Sequence, residues 1–138
     1  LFARLHPAAL AGSRLTVFSL RDMIYVVELT LKNCQKLVDD WVQTIGIRYF
    51  SELTNTAILM EEVGEVARIM SRRFGDQSFK TSDMEVDLAE EMADVLFVLI
   101  CLANQTHIDL ESAFRRSIEK KTKRDEKRHL DNPKLKKG

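Results

Sequence analysis

The sequence predicts an all-α fold, a bundle of four helices in one domain, on three observations. The first is punctuation. The 138 residues include only five glycines and two prolines, too few for a sandwich or barrel that must turn every ten residues or so. The second is period: in four successive stretches the apolar residues recur at spacings of three and four, the repeat of one helix face. The third is capping, because Ser51, Ser82 and Asp109 precede three of those stretches and Gly46 and Gly75 follow two of them. With 45% hydrophobic and 30% charged residues, the chain can bury about two thirds of its unfolded surface, which excludes a disordered or fibrous protein.

The first helix carries Val27, Leu31, Cys34, Val38, Trp41, Val42 and Ile45 on one face and ends near Gly46. An aromatic link, Tyr49-Phe50, leads to Ser51 as N-cap of a second helix, with Leu53, Ala57, Ile58, Val63, Val66, Ala67 and Met70 as its apolar positions. That helix stops at Gly75. Ser82 and Glu85 read as a capping box opening a third helix that runs to about Gln105. Its segment Val95 to Ala103 is apolar on every side, so the third helix is expected at the centre. Asp109 caps a fourth helix with Leu110, Ala113, Phe114 and Ile118, which turns strongly basic beyond Glu119. Residues 1–22 read as an N-terminal extension, with Met23 a candidate native start. Residues 23–130 form the helical domain and 131–138 a flexible basic tail.

The net charge of zero hides an uneven distribution. Residues 52–111 carry 4 basic and 13 acidic groups, a net −9, whereas 112–138 carry 11 and 4, a net +7. An acidic middle beside a basic end suits either intramolecular pairing or a place where cations and an anionic ligand meet. It disfavours a uniformly basic nucleic-acid binder, and no nucleic-acid partner is expected. No apolar run reaches the eighteen or so residues that span a bilayer, so no membrane partner is expected either. Cys34 and Cys101 sit in apolar helical patterns without CxxC spacing and read as buried reduced thiols, which fits a cytoplasmic location.

The carboxylates are the unusual feature. On the second helix, one stripe at 100° per residue reads Ile58, Glu62, Glu65, Ile69; on the third, the corresponding stripe reads Glu91, Asp94, Val98, Cys101. Two acids interrupt each apolar face at the same i, i+3 spacing, and unpaired buried carboxylates are costly. Facing helices that each bring such a pair call for cations between them, and an all-oxygen donor set suits Mg²⁺ or Mn²⁺ rather than zinc. Glu61 and Glu90 enlarge the cluster. A redox di-iron bundle would place Glu-x-x-His on two helices, whereas His6, His107 and His129 lie elsewhere. The chain has no Gly-rich phosphate loop and no Ser or Cys nucleophile with a partnered base.

The segments Glu61-Glu62-Val63-Gly64-Glu65 and Glu91-Met92-Ala93-Asp94 resemble the EExxE and ExxD motifs of the MazG-like all-α nucleoside triphosphate pyrophosphohydrolases, relatives of dimeric dUTPases. The resemblance spans about Val26 to His129, and the run from Asp94 to Asn104 is most similar to short single-domain bacterial members. It implies that Glu62, Glu65, Glu91 and Asp94 hold Mg²⁺, with Mn²⁺ able to substitute, and that Glu61 and Glu90 assist. It also implies hydrolysis of a (d)NTP to (d)NMP and pyrophosphate, with housecleaning of non-canonical nucleotides as the family role. Glu61 would activate water, and Lys120 and Arg124, with Arg128 one turn on, would meet phosphates. The chain departs from the pattern at Lys121, where the family often has an aromatic, and at His129, where some members have tryptophan.

Several of these positions carry two readings. Trp41 fits a base-stacking position in the relatives and also fits core packing. Lys120 and Arg124 fit a phosphate site and also a solvated basic face suited to the helix dipole. Asn104 fits a sugar or phosphate contact and also a buried inter-helix hydrogen bond. The alternative to the enzyme is a non-catalytic Mg-nucleotide-binding helical interaction module. Four helices of which one is apolar all round expose more apolar surface than a thin bundle covers, so a homo-oligomer, a dimer or a dimer of dimers, is expected.

Overall fold

The structure is a computed structural model that describes residues 28–79 and 86–135. Four α-helices follow in order: α1 (Leu31–Thr44), α2 (Glu52–Phe74), α3 (Leu88–Gln105) and α4 (Leu110–Asp125), with a 3₁₀ turn at Pro133–Leu135. The expected all-α, four-helix architecture is present.

Each helix starts where a side chain can satisfy its first free amides. Thr30 accepts from the Asn33 amide, Ser51 from Thr54, Asp87 from Ala89 and Asp109 from Ser112. Two of these caps, Ser51 and Asp109, are the expected ones. The third helix is shorter than expected, because Val86 and Asp87 are non-helical and Asp87 takes the capping role. The expected capping box, Ser82 to Glu85, lies outside the described residues, as do Val27, Met23 and residues 1–22. Gly75 follows α2 with extended backbone, in a conformation where a Cβ would lie 2.5 Å from the Ser71 carbonyl oxygen, so the position suits glycine. α3 ends at His107 in the left-handed region (φ 57°), with the Ile108 amide closing back on the Ala103 carbonyl at 2.8 Å, a Schellman-type stop.

α2 packs most extensively on α3; α1 also packs on α3, and α4 packs on α1. The third helix is therefore central, as its composition suggests. Val38 and Val42 of α1 meet Ile100 and Cys101 of α3 in the main core, joined by Cys34, Tyr49, Phe97 and Leu110. Ile69 of α2 is wholly buried. A polar clasp fixes α1 against the end of α3: Asn104 Nδ2 donates to the Gln35 carbonyl at 2.9 Å and to Tyr49 Oη at 3.0 Å, and Asn104 Oδ1 accepts from Gln35 Nε2 at 3.0 Å. Tyr49 Oη in turn donates to Asp39 Oδ1 at 2.9 Å.

α3 is apolar on every side but not covered on every side. Val98, Ile100 and Cys101 are buried, whereas Met92, Leu96 and Leu99, a stripe at i, i+4, i+7, stay 41–50% exposed. Met60, Met70 and Phe74 of α2 are likewise exposed. Cys34 and Cys101 are both free thiols. No single described helix is long and apolar enough to cross a membrane.

Candidate functional site

The packing of α2 on α3 brings the two acidic motifs face to face. One carboxylate oxygen each from Glu62, Glu91 and Asp94 lie within 4.8 Å of one another. Glu62 and Glu91 are half-buried and Asp94 is exposed. Burial first, and then the negative charges of Asp94, Glu61, Glu91 and Glu65, push the Glu62 carboxyl above the usual carboxylate range. Three converging carboxylates have the chemistry of a hard-cation site, with oxygen donors only. The residues present thus fit a divalent cation such as Mg²⁺ or Mn²⁺.

The fourth expected ligand is placed differently. Glu65 lies one turn beyond Glu62 on α2, but its Oε2 accepts from Arg68 Nε at 2.7 Å and pairs with Arg68 Nη2 as well. Glu65 is therefore outside the convergent trio. Glu61 and Glu90 stand exposed beside it.

A cavity of about 310 Å³ opens from the acids into the protein. Glu62 and Asp94 belong to its wall, and the rest is mostly apolar, with Trp41, Tyr49, Phe50 and Phe97 as aromatic members. Trp41 meets Phe97 edge to face at 5.4 Å and an interplanar angle of 89°. Trp41 remains 38% exposed, so it packs against the core with one part of its ring and faces the cavity with another. The two readings of this residue are compatible.

Other expected substrate residues lie elsewhere. Lys120, Arg124 and Arg128 are exposed on or just past α4, a helix that packs on α1, and none of them lines this cavity. Arg124 Nε donates to Asp125 at 2.9 Å, and Arg128 and His129 also pair with that carboxylate. These partners hold the Asp125 carboxyl low, at about 2, with the Arg124 hydrogen bond the main cause. Asn104 spends its amide on the clasp with Gln35 and Tyr49 and is likewise absent from the cavity wall.

The sequence reading missed several residues of the cavity wall, Phe97 and Asn55 among them, and also Gln105, the partner of Asn55. Asn55, only 5% exposed, lines the cavity, and its Nδ2 donates to Gln105 Oε1 at 2.6 Å. A signal for Asn55 exists: it continues the stripe of Ile58, Glu62, Glu65 and Ile69 by one more turn, a polar residue where a core residue belongs. Gln105 gives no such signal, because its partner lies 50 positions away.

Comparison with known proteins gives the family. The model of the MazG nucleotide pyrophosphohydrolase domain matches residues 50–129, from the aromatic link through α4. The chain belongs to the MazG nucleotide pyrophosphohydrolase family. YpjD of Bacillus subtilis strain 168 is 41% identical over 99 residues, covering 72% of this chain and 89% of the relative. The crystal structure of YPJD from Bacillus subtilis superposes with a TM-score of 0.61 at 40% identity, covering 69% of this chain and 95% of that one. The crystal structure of a Bacillus-conserved MazG protein, a nucleotide pyrophosphohydrolase, superposes with a TM-score of 0.56 at 39% identity, covering 69% and 92%. The resemblance read from the two acidic motifs is thus confirmed at the level of family and MazG-like fold. The MazG match includes both acidic motifs and the aromatic residue Phe50, but begins after Trp41 and Tyr49.

Proposed function

We propose that this chain is a Mg²⁺-dependent nucleoside triphosphate pyrophosphohydrolase that converts a (d)NTP to (d)NMP and pyrophosphate. The observation that carries the reading is the continuity of the Glu62, Glu91, Asp94 cluster with an aromatic cavity, the two sharing Glu62 and Asp94. Glu62, Glu91 and Asp94 would hold the cation, and Glu65 would join them on exchanging Arg68. A bound divalent cation supplies neutralisation of phosphate charge and acidification of water.

The protein's own groups do the rest. The cavity takes the base, with Trp41 and Phe97 offering ring surface and the apolar wall excluding water. Glu61, exposed beside Glu62, accepts a proton from the attacking water or orients it. Attack at the α-phosphorus breaks the bond to the bridging oxygen, and the pyrophosphate leaves with that oxygen. Lys120, Arg124 and Arg128 are the cations proposed to meet the phosphates. Because they sit on a helix packed on α1 rather than in the cavity wall, a homo-oligomer that presents a second copy of α4 to the acids gives them their role. The exposed stripe of Met92, Leu96 and Leu99 and the exposed Phe114 and Ile118 support such association, as a dimer or a dimer of dimers. The free thiols suit a reducing cytoplasm.

The test is release of pyrophosphate and monophosphate from a panel of ordinary and oxidised deoxynucleoside triphosphates with Mg²⁺. Loss of both products by about 10²-fold or more in Glu62→Gln and in Asp94→Asn is the expected result. Nucleotide binding without turnover by the wild type, with Mn²⁺ as well as Mg²⁺, would replace the enzyme by a nucleotide-binding module.

A further inference from the structure

Asn55 is the one buried polar residue among those described, and it sits in the wall of the cavity that holds Glu62 and Asp94. The orientation of its amide is not arbitrary. The Phe50 carbonyl can only accept, so the group of Gln105 that meets it, at 2.7 Å, must be Nε2. Gln105 Oε1 then faces Asn55, and the group of Asn55 that meets it must be the donor Nδ2. Asn55 Oδ1 is left as the remaining end of the amide. No described residue donates to it, and no fully enclosed side-chain polar atom lacks a partner. Oδ1 therefore keeps contact with open space, and the space that Asn55 lines is the cavity.

We propose that Asn55 is a specificity-determining residue that accepts a hydrogen bond from an N–H on the edge of the bound nucleobase. The inference rests on the pyrophosphohydrolase reading above and adds to it the group that reads the base. The Tyr49 hydroxyl in the same wall is already used, bonded to both Asp39 and Asn104. Asn55 lies two helical turns from Glu62, about 10.5 Å along the axis of α2. A nucleoside 5′-phosphate with its phosphorus at the acids reaches that far with the edge of its base. Aromatic surface alone accepts any base, whereas a buried amide locked at one end penalises a base that brings no donor to it. The Asn55, Gln105, Phe50 relay also ties α2, the end of α3 and the α1–α2 link into one wall, so the acceptor is held rigidly.

The experiment measures kcat/KM with Mg²⁺ for the four common deoxynucleoside triphosphates, and for an analogue of the preferred base that lacks its edge N–H. Wild type and Asn55→Leu are compared. Wild type is expected to lose about tenfold on the analogue. Asn55→Leu raises KM for the preferred base by about the same factor and shows no further loss on the analogue. An unchanged ranking of bases in Asn55→Leu overturns the proposal and leaves the pyrophosphohydrolase reading standing. If circular dichroism shows Asn55→Leu unfolded, wild type decides: equal turnover of the analogue and its parent overturns the proposal. Absence of hydrolysis by wild type overturns the enzyme reading and this inference with it.

Discussion

Exchanging Glu62 for glutamine should stabilise the metal-free protein and remove its response to metal. The three carboxylate oxygens of Glu62, Glu91 and Asp94 lie within 4.8 Å of one another. Two unit charges at that separation repel by about 0.9 kcal/mol in a water-like medium, and by more where protein displaces water. Neutralising Glu62 relieves two such repulsions together with the cost of its partial burial, which leads the upward push on its pKa. A gain of about 1–2 kcal/mol in EDTA follows, or a rise of about 3–6 °C in melting temperature for a chain of this length. With divalent metal the order reverses. A cation at 100 times its dissociation constant stabilises wild type by about 2.7 kcal/mol, and Glu62→Gln, lacking one of three converging oxygens, gains far less. The assay is a thermal melt followed by circular dichroism, in EDTA and then across a MgCl₂ or MnCl₂ titration. A variant that melts lower than wild type in EDTA, or that gains as much from metal, refutes the three-acid site.

Other outcomes follow from the same geometry. Tyr49→Phe removes the hydroxyl that joins Asp39 to Asn104 and should cost about 1–3 kcal/mol in urea unfolding. The Tyr49 phenol is pushed up to about 12, chiefly by burial. A raised pKa means that its stabilising contribution is complete below pH 10 and is lost as pH rises from about 10 to about 12. The wild-type stability should fall across that window in alkaline melts, and Tyr49→Phe should lack that component. His107 occupies the left-handed region at the end of α3 while exposed, so His107→Gly should raise the urea midpoint by the equivalent of about 1 kcal/mol. Light scattering should find wild type as a dimer or tetramer and Leu96→Glu as a monomer, since Leu96 lies in the exposed stripe of α3.

Much of the helical frame was legible in the sequence because its signals are local. Ser51 and Asp109 cap the helices they were expected to cap, Gly75 stops α2, and the run from Val95 to Ala103 marks the central helix. The start of α3 differs from the expected one: the Ser82 to Glu85 capping box lies outside the described residues, and Asp87 offers its carboxylate to the Ala89 amide and caps the helix at Leu88. Arg68 lies three residues from Glu65, an ordinary ion-pair spacing on a helix, and the sequence carries that local signal beside the paired acids.

The sequence alone determined which residue types meet: two acidic pairs at i, i+3 on two apolar stripes, enough to name the family and the oxygen-ligand chemistry. The crossing of α2 on α3 decided which acids converge, selecting Glu62, Glu91 and Asp94 and leaving Glu65 to Arg68. Tertiary packing also decided that Asn104 serves as a clasp, that Lys120 and Arg124 stand on the far helix, and that Asn55 lies buried in the cavity wall. The reason is physical. Helix period and capping depend on neighbours within four residues, whereas the direction of a carboxylate or an amide depends on hydrogen bonds and packing supplied from residues dozens of positions away.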